Sequence, residues 1–336
     1  MARKASASVT QRDSPMSGAR PLAISVVIST WNRAASLARA LDSLARLHPP
    51  ADDWELIIVD NNSTDDTKRV CLECADAFPL RYSFDPTPGK WGAVNRAIPS
   101  ARGTLLAFTD DDVVVEPAWL TALVSAAARH PEASFFGGRV LPLWESPPPR
   151  WLATRAEGAL RGLAVSCNFG PTERPLSADD GVFLGANMAF RREVFERGWR
   201  FPESLGPRGA TRNPGGETKL MSDLLADGTT AVWVPDAVVS HWNETTRATE
   251  AYLRKWFTAE GRSLVVQGTI ARIGPTWVGV PRYLLRRWAQ SAVTYGAARW
   301  LSPSDVWLQA EIEMARTGGA IGEFWRQRRR NPEQAT

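Results

Sequence analysis

The chain has 336 residues, of which 44% are hydrophobic and 23% charged, as in an ordinary soluble globular protein. Its formal net charge of +4 is too small to indicate nucleic-acid binding, so we expect no nucleic-acid partner. Three cysteines are too few for a disulfide framework and indicate a reducing compartment. No apolar run approaches the roughly 20 residues that cross a bilayer. We therefore expect a cytoplasmic protein.

The N-terminal half alternates between strand and helix patterns. Residues 1–20 are small, polar and basic, without an apolar stretch of signal-peptide length, and we expect a disordered leader there. Apolar segments at 22–29, 56–59 and 105–108 are each followed by a polar cluster and then by a helical pattern. This repeated order predicts an α/β fold with a mainly parallel sheet covered by helices.

The C-terminal part has a different pattern. A helix is predicted at 217–226 and a strand at 231–234, and from residue 249 onwards the pattern is helical to the end. Breaks are predicted at three dipeptides, Gly274-Pro275, Ser302-Pro303 and Gly318-Gly319. We therefore predict one α/β domain at 21–248 and a helical C-terminal region at 249–336.

Three adjacent aspartates, Asp110, Asp111 and Asp112, directly follow the strand predicted at 105–108. Ligands of parallel sheets collect at the carboxyl ends of the strands. Adjacent carboxylates repel one another unless a cation or hydrogen-bond donors neutralise them. Oxygen ligands suit Mg²⁺ or Mn²⁺, which bridge carboxylates and the phosphates of a substrate. The pattern thus indicates a divalent metal site, and a solvated acidic turn or a helix N-cap is the alternative.

A further carboxylate, Asp60, follows the strand predicted at 56–59 and should lie at the same edge of the sheet. It could accept the imide N–H of a uracil or a comparable hydrogen of another base. The alternative is that Asp60 and the polar residues after it, Asn61, Asn62 and Ser63, cap the next helix. Capping explains some of these residues but need not explain all four.

These clusters resemble the family 2 glycosyltransferases of GT-A fold. The resemblance lies in Ser-Thr-Trp-Asn-Arg at 29–33, Val-Asp-Asn-Asn-Ser-Thr-Asp at 59–65 and Phe-Thr-Asp-Asp-Asp at 108–112, and it continues at 185–192, 215–217 and 235–241. Each motif alone is modest, but six in the family's order are specific. The resemblance spans about residues 22 to 261. It implies a mixed, mainly parallel GT-A sheet flanked by helices, with a helical C-terminal extension.

The resemblance also implies roles for individual residues. Asp112 would bind a divalent metal, Mn²⁺ or Mg²⁺, and His241 matches a histidine that approaches the diphosphate or the metal. A purely structural histidine is the alternative at that position. The residues expected to bind the nucleotide sugar are Thr30, Asn32, Arg33, Asp60, Asn62, Lys90, Asp110 and Asp111.

Two positions depart from the family's pattern. Val94 stands where an arginine is expected, and Lys90 is the nearby substitute for that cation. Thr218 stands where the family has the aspartate of a Glu-Asp pair, so Glu217 is the only carboxylate at that helix start. An inverting transferase needs one base for the acceptor hydroxyl. We predict Glu217 as that base or as the group that orients the acceptor, and an ordinary helix-start glutamate is the alternative.

Together these features predict an inverting, metal-dependent transfer of a sugar from a nucleoside diphosphate sugar, expected to be UDP-linked. The acceptor would be a hydroxyl of a glycan or lipid-linked molecule in polysaccharide or cell-envelope synthesis. A catalytically inactive, sugar-binding or scaffolding relative is the alternative that Thr218 and Val94 leave open. A nucleotidyltransferase or a dinucleotide oxidoreductase would need a glycine-rich loop after the first strand, where Thr30-Trp31-Asn32 stands instead.

The helix predicted at 281–301 mixes aromatic residues with arginines. Such a helix can lie in the interface of an anionic membrane. The alternative is that it packs on the catalytic domain or on a second subunit. A peripheral membrane contact of this helix would place the protein at the inner face of the cell membrane.

Overall fold

The computed structural model describes residues 22–48, 53–75, 77–177, 180–208, 211–301 and 304–330. The leader predicted at 1–20 lies outside these residues. The strands are β1 (Leu22–Thr30), β2 (Trp54–Asp60), β3 (Leu80–Phe84), β4 (Gly103–Asp110), β5 (Val113–Val115), β6 (Phe135–Trp144), β7 (Arg174–Pro175), β8 (Met188–Arg191), β9 (Gly206–Arg208), β10 (Thr211–Asn213), β11 (Ala231–Asn243), β12 (Thr276–Trp277) and β13 (Val280–Pro281). The α-helices are α1 (Ala34–Leu44), α2 (Thr67–Glu73), α3 (Lys90–Ala97), α4 (Trp119–Arg129), α5 (Arg150–Ala153), α6 (Arg161–Ala164), α7 (Arg192–Glu196), α8 (Gly216–Ala226), α9 (Glu250–Val266), α10 (Arg282–Leu301) and α11 (Ser304–Arg330).

One large mixed sheet organises the chain. Its strand order is β3-β2-β1-β4-β8-β6-β11-β5, and β7 pairs with β11. The four strands β1 to β4 pair in parallel, whereas β8 lies antiparallel between β4 and β6. The central strands are buried because both faces of the sheet are covered, which agrees with their continuous apolar sequences. The predicted class, a mixed α/β sheet flanked by helices and followed by helices, is confirmed.

The strand register brings the polar clusters to one edge of the sheet. Thr30 at the end of β1 lies opposite Asp60 at the end of β2, and Ser29 lies opposite Asp110 at the end of β4. After Asp112 the chain enters β5, where Val113 pairs with His241 of β11. Val113 and His241, which are 128 residues apart in the sequence, are therefore neighbours at this edge of the sheet.

Several observed strands, among them β3 and the ten-residue β6, were not expected, and β11 is longer than predicted. The sequence pattern did not indicate β3, because this edge strand is only partly buried and lacks a clear apolar alternation. β11 continues to Asn243 instead of ending at residue 234. Its pairing with β6 shifts between Val234 and Val238, and this irregularity accommodates Pro235, which cannot donate a ladder hydrogen bond.

The C-terminal helices pack through glycine, and this corrects one expectation. The dipeptide Gly318-Gly319 does not interrupt α11 but lies inside it. A Cβ atom on Gly319 would lie 2.0 Å from the Thr258 carbonyl oxygen, and one on Gly261 would lie 1.8 Å from the Arg316 carbonyl oxygen. These glycines allow the backbones of α9 and α11 to touch. Their role was invisible in the sequence because it depends on the partner helix.

The other two predicted breaks have different outcomes. Gly274-Pro275 lies between α9 and α10 as expected, whereas Ser302-Pro303 lies outside the described residues. The boundary between a domain at 21–248 and a region at 249–336 stays a prediction. Within the described part of the chain, we find no helix with the length and apolar character needed to span a bilayer.

Two adjacent glycine substitutions test the helix contact. We expect Gly319→Ala to lower the free energy of unfolding by roughly 1–3 kcal/mol, because the new methyl group overlaps the Thr258 backbone. Gly318→Ala is the matched control, since its Cβ would meet nothing closer than Trp288 Nε1 at 3.4 Å. The control should be neutral or more stable by up to about 1 kcal/mol. Urea unfolding measures both, and equal effects would contradict the packing role.

Candidate active site

The ends of β1 and β4 are joined by a buried network of ionic side chains. Thr30 Oγ1 donates a hydrogen bond to Asp111 Oδ2 at 2.7 Å. Arg33 Nη1 lies 2.9 Å from Asp111 Oδ1 and 2.8 Å from Asp112 Oδ2. Both carboxylates are nearly inaccessible to solvent. Arg33 therefore neutralises charges that water cannot solvate, and its position just after β1 follows from the register with β4.

His241 joins the same carboxylates from β11. Its Nε2 atom lies 3.1 Å from Asp112 Oδ1, and the Trp242 amide donates to the Asp112 carbonyl oxygen at 2.7 Å. One ligand atom from each of Asp110, Asp112 and His241 lies within 4.8 Å of the others. Carboxylate oxygens with one imidazole nitrogen are a donor set that fits a divalent cation such as Mn²⁺. These three residues could therefore hold a metal ion.

The two buried carboxyls differ in their affinity for a proton. Burial raises the pKa of Asp111 to about 6, although Arg33 acts in the opposite direction. Burial also disfavours the charged form of Asp112, but the facing His241 imidazole and the Arg33 guanidinium hold the pKa of Asp112 well below its usual range. Asp112 is thus ionised at neutral pH, which is the state that binds a cation.

Arg247 is a neighbour of this cluster that the sequence did not indicate. It belongs to a short 3₁₀ turn at Thr245–Ala248, and its Nη1 atom donates to Asn243 Oδ1 at 3.0 Å. The same nitrogen lies 3.5 Å from His241 Nδ1. Only the turn after β11 brings it there, so no strand-end motif could have indicated it. It adds a second guanidinium beside the aspartates.

Asn32 ties the loop after β1 to the loop after β2. Its backbone N–H donates to Ser63 Oγ at 2.9 Å, and its side-chain Oδ1 accepts from the Thr64 backbone N–H at 2.7 Å. Asn32 and Asn62 both have left-handed backbone conformations, with φ of 51° and 69°, which asparagine tolerates better than most residues. Part of the reason for asparagine at these positions is therefore the shape of the two loops.

Asp60 is held firmly at the end of β2. It is 1% exposed, its Oδ1 accepts from the Ser63 amide at 2.8 Å, and its Oδ2 accepts from the Tyr82 hydroxyl at 2.6 Å. The Ser63 contact closes the loop, but α2 begins only at Thr67 after Asp66, so Asp60 does not cap that helix. Tyr82 was missed because its strand, β3, was missed.

Asn61 orders the segment before α3. Its Nδ2 donates to the Thr87 carbonyl oxygen and its Oδ1 accepts from the Gly89 amide, both at 2.7 Å. Gly89 has a φ of 137°, which a residue with a side chain rarely adopts. This fixed turn starts α3 at Lys90, whose Nζ lies 2.5 Å from Asp110 Oδ1. Lys90 therefore belongs to the aspartate cluster, and its expected contact with the nucleotide sugar stays a prediction.

Glu217 lies in the first turn of α8, next to this cluster but not bonded to its aspartates. A Cβ atom on Gly185 would lie 3.1 Å from Glu217 Cγ, so the glycine of the 185–192 segment makes room for the glutamate. Burial raises the pKa of the Glu217 carboxyl above its usual range, and the charge of Lys90 opposes this rise. A carboxyl with a raised pKa is a stronger base once ionised.

Trp91 connects the Lys90 loop to the helix that carries Glu217. Its indole stacks on Phe201 with centroids 4.3 Å apart, and Lys90 Nζ lies 4.7 Å from its ring centroid. A Cβ on Gly216 would lie 2.1 Å from Trp91 Nε1, so only glycine fits at the start of α8. No sequence pattern distinguishes Trp91 from the other tryptophans, of which the chain has fifteen in all.

The family model for glycosyl transferase family 2 matches residues 25–199, about half of the chain. The validoxylamine A glucosyltransferase of Streptomyces hygroscopicus is 36% identical over 107 residues, which are 31% of this chain and 25% of that protein. This chain thus spans about a quarter of the length of that relative. The succinoglycan biosynthesis protein ExoM of Rhizobium meliloti is 29% identical over 240 residues, 70% of this chain and 71% of ExoM.

Solved structures share the fold. The mannosyltransferase PcManGT of Pyrobaculum calidifontis, in complex with GDP-Man and Mn²⁺, has a TM-score of 0.59 and 19% identity, over 92% of this chain and 89% of that one. S. aureus TarS 1-349, in complex with UDP, has a TM-score of 0.52 and 16% identity, over 91% and 92%. This likeness confirms the GT-A fold that the motifs implied. With the family match at 25–199, it follows that the chain belongs to the family 2 glycosyltransferases.

Proposed function

We propose that the protein transfers a sugar from a nucleoside diphosphate sugar to a hydroxyl of a glycan or lipid-linked acceptor, with inversion at the anomeric carbon. The observation that carries the proposal is the meeting of Asp110, Asp112 and His241 beside two cationic side chains, Arg33 and Lys90, with Glu217 next to them. Family membership argues against the nucleotidyltransferase and oxidoreductase alternatives.

The charges of the site support a diphosphate leaving group. When the sugar–phosphate bond breaks, negative charge grows on the diphosphate, and cations fixed in advance stabilise it. Arg33, Lys90 and Arg247 all lie at or beside the aspartate cluster. In our proposal these side chains contact the phosphates, and Thr30 and Asn32 shape the pocket floor next to the ribose.

A divalent metal, Mn²⁺ or Mg²⁺, is the proposed cofactor. Asp112 and His241 would hold it, and Asp110 could supply a third ligand. When bound, the metal contributes positive charge next to the leaving diphosphate. The Mn²⁺ in the PcManGT complex supports this choice by fold analogy alone. The bound cation would also relieve the repulsion among the three aspartates, which Arg33 and Lys90 only partly neutralise.

We propose uridine as the donor nucleoside. Each Asp60 oxygen already accepts one hydrogen bond, from the Ser63 amide or from Tyr82. The uracil imide offers a single N–H and needs one remaining acceptor, whereas guanine offers two adjacent N–H groups that suit a free carboxylate. TarS binds UDP and PcManGT binds GDP-Man, so the shared fold alone does not favour either base. Asn62, on the same loop, would line this pocket.

Glu217 is our proposed base. Its carboxylate would take the proton of the acceptor hydroxyl while that oxygen attacks the anomeric carbon and the bond from this carbon to the diphosphate oxygen breaks. The base must be unprotonated to act, so a raised pKa places its useful range closer to neutral pH. The catalytically inactive alternative rests on Thr218 and Val94, but Lys90 already supplies a cation to Asp110.

The biological setting is proposed by analogy. ExoM is named for succinoglycan biosynthesis, which favours polysaccharide or cell-envelope assembly for this chain as well. We propose that the protein acts at the inner face of the cell membrane, with its C-terminal helical region in peripheral contact. The segment expected to make this contact was the helix at 281–301, which is α10 in the structure.

The metal and donor assignments can be tested by thermal unfolding. We expect a UDP-sugar with Mn²⁺ to raise the melting temperature by several degrees, since a ligand at about 100 times its Kd adds roughly 2.7 kcal/mol. Asp112→Asn should abolish the Mn²⁺-dependent part of this rise. Asp223→Asn, which removes a carboxylate paired with Lys219 on α8, is the matched control and should respond like the wild type. A normal response of Asp112→Asn would contradict the metal assignment.

The role of Glu217 can be tested by kinetics. We expect Glu217→Gln to lower kcat by about 10²- to 10⁴-fold, as for the loss of a general base, with little change in donor affinity. Because burial raises the pKa of Glu217, wild-type kcat/KM should fall as the pH drops through a value above the usual glutamate pKa of about 4.3. Glu193→Gln, at the exposed first turn of α7, is the control. Full activity of Glu217→Gln would leave only a structural role.

A further inference from the structure

A basic and apolar corner lies where the segment 270–282 meets the end of α11. Between Glu260 and Asp305 the sequence contains no acidic residue but six arginines. Three more arginines, Arg328, Arg329 and Arg330, end α11. We call the segment 270–282 together with residues 327–330 the hairpin corner. Its 17 residues carry five arginines and no acidic residue, a formal charge of +5, whereas the whole chain of 336 residues carries +4.

The tip of this corner exposes large apolar side chains. Ile273, Trp277 and Val278 are 70%, 63% and 51% exposed. Val278 and Gly279 form the two-residue turn between β12 and β13, with φ of 53° and 77°, as in tight hairpins. A Cβ on Gly279 would lie 2.8 Å from Arg328 Cδ, so the arginine stem covers the turn. The apolar tip is therefore presented on a turn supported by α11.

Arginines line a cavity directly beside this tip. The cavity has a volume of about 480 Å³ and lies between the end of α9 and the end of α11. Arg272, Arg328 and Arg330 line it, and the Arg272 guanidinium lies 5.6 Å from the ring centroid of Phe324. Neither Arg328 nor Arg330 forms an ion pair with any residue in the described ranges. A phosphodiester group fits this chemistry and volume.

The far end of α10 provides a contrast within the same helix. Trp300 and Leu301 are even more exposed, at 87% and 84%. However, Arg299 beside them pairs with Glu250 at 3.1 Å. The positive charge is thus neutralised at that end, whereas it accumulates at the hairpin corner. Exposed apolar side chains and excess positive charge therefore coincide at the corner and not at the Trp300 end of α10.

We propose that the hairpin corner docks on the surface of an anionic lipid bilayer. Ile273, Trp277 and Val278 enter the interfacial layer, and Arg272, Arg328 and Arg330 bind headgroup phosphates, one of them in the cavity. Aromatic residues with arginines are the side chains that such an interface favours. This assigns the membrane contact to the hairpin rather than to the length of α10.

The position of the corner relative to Glu217 deepens the proposed function, on which this step rests. Val265 and Gly268 line the cavity, and Gln267 between them lies against Gly215, where a Cβ would be 2.8 Å from Gln267 Nε2. Gly215 directly precedes the helix that carries Glu217. A bilayer at the corner would therefore bring a lipid-linked acceptor to the side of the site where the proposed base lies.

Vesicle flotation tests the docking surface with the full chain. We expect the wild type to bind vesicles of phosphatidylcholine with about 30% phosphatidylglycerol and not pure phosphatidylcholine, and to be released at about 0.5 M salt. Arg328→Gln with Arg330→Gln should lower the partition coefficient by roughly tenfold or more. The triple variant Ile273→Ser, Trp277→Ser, Val278→Ser should lose binding to a similar degree.

A control at the other end of α10 separates the two surfaces. Trp300→Ser with Leu301→Ser removes as much exposed apolar surface and should bind vesicles like the wild type. Hydrolysis of a soluble UDP-sugar by the hairpin variants should stay normal, which shows that they are folded and that any failure concerns docking and not the transferase site. Equal binding to neutral vesicles, no vesicle binding by the wild type, or loss of binding only in the Trp300-Leu301 variant would overturn the proposal.

Discussion

The neutralisation of two buried carboxylates, Asp111 and Asp112, is the constraint on which the site depends. A buried charge without a partner costs several kcal/mol, so partners must arrive from other strands at defined positions. Thr30 and Arg33 come from the end of β1, and His241 comes from β11. Each contact requires a particular strand register, because a slip by one residue would turn every side chain to the other face. The charge neutralisation of Asp111 and Asp112 therefore requires this strand order and register. The same arrangement holds Asp110, Asp112 and His241 together, the three residues that we propose as metal ligands.

The loops around this centre are stiffened by asparagine rather than by apolar packing. Asn32 joins the loops after β1 and β2, and Asn61 joins the loop after β2 to the turn before α3. Side-chain amides can replace the backbone hydrogen bonds that irregular segments lack. These hydrogen bonds fix the turn before α3, and Lys90 at the start of α3 therefore contacts Asp110. Preorganised cations matter most in a site that stabilises a leaving group, because they need no rearrangement when the charge develops. The polar residues that first indicated a ligand site therefore also fix the conformation of the loops around it.

Site residues at the ends of the parallel strands could be predicted from the sequence. Residues whose role depends on contacts with distant elements could not. The convergence of Thr30, Asp60 and Asp110 could be predicted, because the carboxyl ends of parallel strands share one edge. Tyr82 could not be predicted, since it belongs to a half-exposed edge strand without an apolar alternation. Arg247 depends on a 3₁₀ turn that no local pattern indicates. The pair Gly318-Gly319 was wrongly predicted as a break, because glycine weakens an isolated helix but is required where two backbones touch.

The roles of the site residues stay predictions until they are measured.

The departure from the family's pattern at position 94 has a physical explanation in α3. Val94 is 2% exposed and packs in the core, so this position does not face the ligand. Lys90 lies one turn earlier in the same helix, and its Nζ lies 2.5 Å from Asp110 Oδ1, so the cation at this end of α3 comes from position 90 and not from position 94. The Lys90 ammonium rests over Trp91, whose indole in turn packs beneath the glycine that starts α8. The Lys90 ammonium and the start of the helix that carries Glu217 therefore both pack against one aromatic side chain.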